Sequence, residues 1–346
     1  MKNLKDCIKN YVKDCINENY LHESVWDIED NVEDDNKEFI LNEVKQFIKD
    51  NYANVDLKRL TFVFNKKKGK YIVNLKGSVT GARLNTASKS IVNDLFEWGK
   101  VEGWFDCSHC PITTLEGAPR TVDGLFVCNN CKNLTDLQGA PETVGGTFYC
   151  SECSITSLKG APKNVGENFY CYTCPNLTSL EGVPEYVRGN FYCHECNELK
   201  TLKGAPKKVE GIFSCADCPI TSLKDSPEEV GGFNCAMCKN LKSLEGAPEY
   251  VGGDFNCYKC ENLKSLKGAP KEVKGRFDCS ECPNLTSLEG APKEVGGDFD
   301  CNGCPITTLK GAPEEVGKRF DCRYCPNLHS LDGIGKVGDG IISDID

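Results

Sequence analysis

Long apolar runs are missing. Nowhere in the 346 residues do about 18 apolar side chains follow one another, the minimum for a spanning helix, so no membrane partner is expected. An excess of positive charge is missing too: 41 Lys+Arg stand against 51 Asp+Glu, a formal charge of -10. Phosphate-backbone binding needs a basic face, which excludes nucleic acid as the expected partner. Histidine is scarce. His22, His109, His194 and His329 are the only four, no nucleophile or acid–base constellation gathers around them, and no enzyme is expected. The first ten residues, Met1 to Asn10, are charged throughout and lack the apolar core of a secretory signal. The expectation is therefore an intracellular, non-secreted protein, a virion component included, whose cysteines are thiols or metal ligands before they are disulfides. Hydrophobic content of 39% and charged content of 27% describe a globular chain, not a disordered one.

What is abundant is cysteine, 24 residues, and glycine, 33. Both follow one repeat, Phe-x-Cys-x-x-Cys-x-(Asn)-Leu/Ile-x-Ser/Thr-Leu-x-Gly-Ala-Pro-x-x-Val-x-Gly. Its first cysteines are Cys107, Cys128, Cys150, Cys171, Cys193, Cys215, Cys235, Cys257, Cys279, Cys301 and Cys322. Each has a partner three residues on: Cys110, Cys131, Cys153, Cys174, Cys196, Cys218, Cys238, Cys260, Cys282, Cys304 and Cys325. Cys7 and Cys15 complete the set. The ten steps from Cys107 to Cys322 average 21.5 residues. Coils such as Cys174-Pro175-Asn176-Leu177 lead to a step of 22, and Cys110-Pro111-Ile112 to one of 21. The step of 20 from Cys215 to Cys235 also lacks the residue before Phe233. Gains and losses confined to two points mark those points as turns and the rest as rigid register.

Phe and the first Cys sit at i and i+2 and share one face of a short strand, with the residue between them on the other. The second Cys, the following Leu or Ile, the Leu before Gly and the Val after Pro supply further inward groups. Gly-Ala-Pro rules out a long helix on the return side, which is expected to be extended or polyproline-like. One such turn cannot bury its apolar face, but stacked neighbours can. At about 4.8 Å per strand, eleven coils make a rod about 50 Å long. The fold class expected is a β-rich solenoid of about eleven regular coils with a small α+β N-terminal cap.

Phe126-x-Cys128-x-x-Cys131-x-x-Leu134 resembles the leucine-rich repeat, with Phe126 and Cys128 in its Leu-x-Leu places, Cys131 in its Asn/Cys place and Leu134 as the next leucine. Cys131-Lys132-Asn133-Leu134-Thr135-Asp136 is similar to the cysteine-containing subtype. The tandem Gly-Ala-Pro-x-x-Val-Gly-Gly-x-Phe resembles short repeats in uncharacterised proteins of bacteria and their large phages. The chain departs from the family in carrying Cys at the second Leu place of every coil. The resemblance implies a protein partner bound on the strand face.

Four regions are expected. Residues 1–57 read as helical, with Leu4, Ile8, Tyr11, Val12, Cys15 and Ile16 and then Phe39, Ile40, Val44, Phe47 and Ile48 at helical spacing. Residues 58–104 read as a β-hairpin with a basic tip, Lys66 to Lys70, followed by a degenerate capping repeat. Residues 105–333 form the solenoid, and 334–346 a C-terminal cap or tail.

The two cysteine columns read as structural: small buried groups, the second thiol bonding turn backbone. The alternative is a multi-centre metal protein, with coils pooling thiolates for zinc or an iron–sulfur cluster. On the first reading there is no metal and no cofactor. Functional identity is expected in the x of Phe-x-Cys, where Tyr149, Tyr170 and Tyr192 follow one another, joined by Tyr172 and His194 just beyond the strand. Such a row suits a binding hot spot, and it also suits plain cross-strand stacking. Further on the column turns acidic with Asp278, Asp300 and Asp321, Asp254 and Asp298 adding to it, which points to a basic partner or a cation there.

Overall fold

The computed structural model describes residues 34–52, 54–65, 67–68, 70–81 and 96–345. The helix expected over Leu4 to Ile16, with Cys7, Cys15 and His22, lies outside them, as does Lys66 of the hairpin tip.

Helix α1 (Asp34–Asn51) buries Ile40, Val44 and Ile48, one residue every fourth position along a single stripe, and the stripe continues past its end to Tyr52. After a 3-10 turn at Leu57–Arg59, strands β1 (Leu60–Asn65) and β2 (Lys70–Leu75) pair antiparallel, Leu60 opposite Leu75 and Phe64 opposite Tyr71. Strand β3 (Phe96–Val101) then lies parallel to β2. From there the pattern is unbroken. The chain is a parallel β-solenoid of about twelve turns, as expected, behind a small α+β cap.

Every turn crosses two parallel sheets. The front sheet is built from the Phe-x pairs, such as Phe126–Val127 against Phe148–Tyr149. The back sheet is built from the residues ending in Val, such as Thr121–Val122 against Thr143–Val144. Pro precedes every back strand from Thr121–Val122 to Glu315–Val316 by a few residues; lacking an N–H, it stands where no ladder bond is required. Residues without the repeat signature take the same register. Val79 pairs with Phe105 at one end, and Val337 and Ile341 pair with Val316 and Phe320 at the other.

Identical residues stack, so the interior consists of columns. Eleven phenylalanines from Phe105 to Phe320 lie fully inside, with successive ring centroids 5.0 to 5.6 Å apart. Each contributes about 1.5–3 kcal/mol by burial. The N-terminal end of this column is covered by Tyr52, whose ring sits 6.4 Å from that of Phe105 and edge-on to Trp98 at 5.4 Å. The last turn of α1 thus closes the stack, with Phe47 against Phe96 at 5.8 Å.

The 20-residue step has a structural counterpart. Elsewhere a bend separates front and back strands, but here Lys208–Ser214 and Glu229–Asn234 run through both sheets, with a register shift between Val209 and Ile212. The residue missing before Phe233 leaves Glu210–Gly211 to bulge.

Candidate functional site

Side chains alternate in and out through the front strand, so the residues on either side of Phe and the one after the first Cys all face outward. The ladder also runs past the first Cys: Cys128 N donates to Tyr149 O at 2.9 Å, and Asn130 N to Ser151 O at 2.9 Å. The outer face is therefore three columns wide, not one. His194 belongs to it, half-buried.

Along those columns the face changes character. Coils one to six carry Trp104, Leu125, Val127, Tyr149, Tyr170, Tyr172, Tyr192, His194 and Ile212. Tyr149 meets Tyr170 edge-on at 5.0 Å, Tyr170 stacks on Tyr192 at 5.0 Å, and Tyr172 stacks on His194 at 4.8 Å with the rings 3° apart. Tyr192 and His194 close the cluster at 5.9 Å. The five residues singled out from sequence thus form one connected, half-buried ring cluster. Burial pushes the hydroxyls of Tyr149 and Tyr192 up. Around them Trp104, Leu125 and Ile212 are 49, 36 and 41% exposed. These three escape a reading that looks only between Phe and Cys. The signal that finds them is the same period of two, counted one step backwards from Phe.

The acidic stretch differs from expectation. Asp278, Asp300 and Asp321 are 8, 7 and 9% exposed, and the chain's own arginines neutralise them. Arg276 Nη2 lies 3.0 Å from Asp278 Oδ2 and 2.5 Å from Asp300 Oδ2, and Arg323 Nη2 lies 2.6 Å from Asp321 Oδ2. Asp298 pairs likewise with Arg319 at 3.1 Å. The other carboxylate oxygen caps the turn, accepting the N–H of the residue two ahead: Ser280 at 3.0 Å, Asn302 at 3.1 Å and Arg323 at 3.1 Å. Burial raises the carboxyl of Asp300. It acts the same way on Asp321, but there the Arg323 hydrogen bonds outweigh it and hold the carboxyl down. The acidic charge that pointed to a basic partner or a cation is matched from within.

From the second coil onward, the second cysteine of each pair has a specific task. Cys131 Sγ donates to the carbonyl of Cys107 at 3.3 Å, Cys153 to that of Cys128 at 3.1 Å, and the same bond recurs to Cys325 and Cys301 at 3.3 Å. The carbonyl of a first cysteine points inward where the front strand ends, and the thiol of the next coil supplies its donor. First-column thiols reach the next coil's strand, as Cys128 does to Tyr149 O at 3.2 Å. Burial pushes the Cys107, Cys150, Cys171 and Cys193 thiols far up. Among the described residues none of the 22 repeat cysteines is in a disulfide. Among the described residues no three His, Cys, Asp or Glu side chains converge as metal ligands, so the zinc or iron–sulfur alternative has no ligand set there.

No described helix is long and apolar enough to cross a membrane. No protein-family model matches the chain, and no curated protein matches it. Among solved structures it is similar to a leucine-rich repeat protein from Bacteroides ovatus ATCC 8483, with 13% identity over 79% of this chain and 96% of that one and a TM-score of 0.23. What stands by its own geometry is the fold: a cysteine-rich repeat protein wound as a parallel β-solenoid.

Proposed function

We propose that this protein is a non-catalytic binding module of the leucine-rich-repeat kind, whose protein partner docks on the front face of coils one to six. The connected ring cluster of Tyr149, Tyr170, Tyr192, Tyr172 and His194 carries the reading. Five aromatic rings held half-buried on a rigid sheet offer contact area with little entropy left to lose, the composition of interface hot spots. Trp104, Leu125 and Ile212 extend the apolar area on both sides. The charged face of coils nine to eleven serves as scaffold in this reading, its acids tied up in turns and internal ion pairs.

The test replaces Tyr149, Tyr170 and Tyr192 together by Ala and compares cross-linked partners with those of the wild type and of a back-face variant, Lys163→Ala/Lys207→Ala, whose lysines stand next to the back strand Asn164–Val165 and the back-sheet end of Lys208–Ser214. The tyrosine variant is expected to keep its circular dichroism and lose its partners, while the back-face variant keeps both. A folded tyrosine variant with a full set of partners rules the docking face out.

A further inference from the structure

The front face contains an ion-binding arrangement that the chain completes for itself in one place and leaves incomplete in another. In coil eight Lys259 Nζ lies 4.9 Å from the ring centroid of Tyr258 and 3.0 Å from Glu281 Oε2, while Tyr258 Oη donates to Glu281 Oε1 at 3.1 Å. An aromatic ring in one coil and a carboxylate from the turn of the next hold one ammonium between them. Coils four and five repeat two of the three parts. Tyr172 occupies the column of Tyr258, and Glu195 the turn position of Glu281. The third part differs, for Thr173 stands where Lys259 stands. Its hydroxyl donates to Glu195 Oε2 at 3.3 Å, and His194 Nδ1 lies 3.5 Å from Glu195 Oε1. Among the described residues no lysine or arginine pairs with Glu195.

The surroundings have the matching sign. Outward positions of coils one to eight hold no lysine and no arginine, and the turns of coils three, five and six present Glu152, Glu195 and Asp217 along one border of the ring cluster. Lys132 reaches Glu152 at 4.0 Å from the side away from Glu195. We infer that Tyr172 and Glu195 form a receiving site for a lysine side chain brought by the partner, which takes the place Lys259 fills in coil eight. This rests on the reading of the face as a docking surface and names the chemistry of what docks: a basic, lysine-bearing segment.

The probe is a fluorescent hexalysine peptide, its binding followed by anisotropy at low and at 0.3 M salt. Wild type is expected to bind, more weakly at high salt. Thr173→Lys supplies the missing ammonium from within and should weaken binding at least tenfold; Lys259 shows that the turn accepts lysine, with φ 53° against 52° for Thr173. Glu195→Gln should weaken it severalfold. Glu249→Gln makes the same charge change on the back face, where Glu249 pairs with Lys271 at 2.8 Å, and should leave binding unchanged. Wild-type affinity in both Thr173→Lys and Glu195→Gln overturns the site, and so does an equal loss in Glu249→Gln. If Thr173→Lys abolishes hexalysine binding while the triple alanine variant retains its partners, the docking face falls and the lysine site stands. Partners lost from the triple variant with hexalysine binding untouched by Thr173→Lys gives the reverse.

Discussion

The residue between each cysteine pair that precedes the second Cys is left-handed in all eleven coils, with φ from 51° to 70°. Only one of the eleven, Gly303, is glycine. This conformation turns the chain so that the second thiol comes back under the strand to donate to the preceding coil, and it costs about 1–2 kcal/mol in a residue with a Cβ. Thr173 is the β-branched member, where the cost is greatest. Thr173→Gly is therefore expected to raise stability by about 1 kcal/mol in urea unfolding, and an unchanged or lower midpoint would refute the strain assigned to the turn. The same conformation recurs in the glycine of Leu-x-Gly-Ala-Pro. At Gly139, with φ 88°, an added Cβ would collide with the Glu116 amide nitrogen of the preceding coil. Asp225, with φ 67°, takes that place in the single coil reading Lys-Asp-Ser-Pro. Periodicity displays such positions but not their backbone angle, because ten different sequence contexts reach it without glycine.

At the scale of the element, one coil is the unit of stability. Its inward side chains meet their equivalents above and below, and its backbone bonds run between coils, as from Phe126 N to Thr147 O at 3.1 Å. Exposed ion pairs follow the same rule: Lys203 with Glu181 at 2.7 Å and Lys207 with Glu185 at 3.1 Å join adjacent coils, weakened by the surrounding solvent. Removing residues 257–278, one whole 22-residue turn, joins Asn256 to Cys279 in register. The shortened chain is expected to fold cooperatively with a proportionally weaker β signal in circular dichroism. Removing 257–267 alone puts every following inward residue out of column and should expose the C-terminal coils to protease. Equal behaviour of the two deletions would show that column register does not hold the rod together. The repeat length was legible in the cysteine spacing. The merging of front and back strands at Lys208–Ser214 was not, since a missing residue marks a turn without saying that the turn straightens.

For the molecule as a whole, the thiols set a ceiling in pH. Many of them are raised above the ordinary value of 9.0 in the folded state: burial carries Cys322 to about 12, and the Cys174 contact together with burial takes Cys196 to about 12. A raised folded value means the protonated form is the one the fold prefers. The stabilisation is then complete below pH 9 and is lost as pH rises toward 12, because the unfolded chain releases those protons first. Each thiol so raised contributes about 1.4 kcal/mol per pH unit in that window. Many titrate together, so under anaerobic, reducing conditions the rod should unfold steeply within about two units above pH 9. An intact circular dichroism spectrum at pH 11 would contradict the dry interior. By itself the sequence determined the solenoid, its period, its inward columns and the row of tyrosines, since period-two alternation and exact repetition are local properties that stacking only multiplies. Tertiary structure alone decided what those columns do. Arg276 reaches Asp300 on the next coil, Tyr172 stacks on His194, and Lys259 covers Tyr258 where Thr173 leaves Tyr172 without a lysine. Residues some 22 positions apart become neighbours only when coil lies on coil, and charge neutralisation and ring contact act over a few ångströms of space, whatever the separation along the chain.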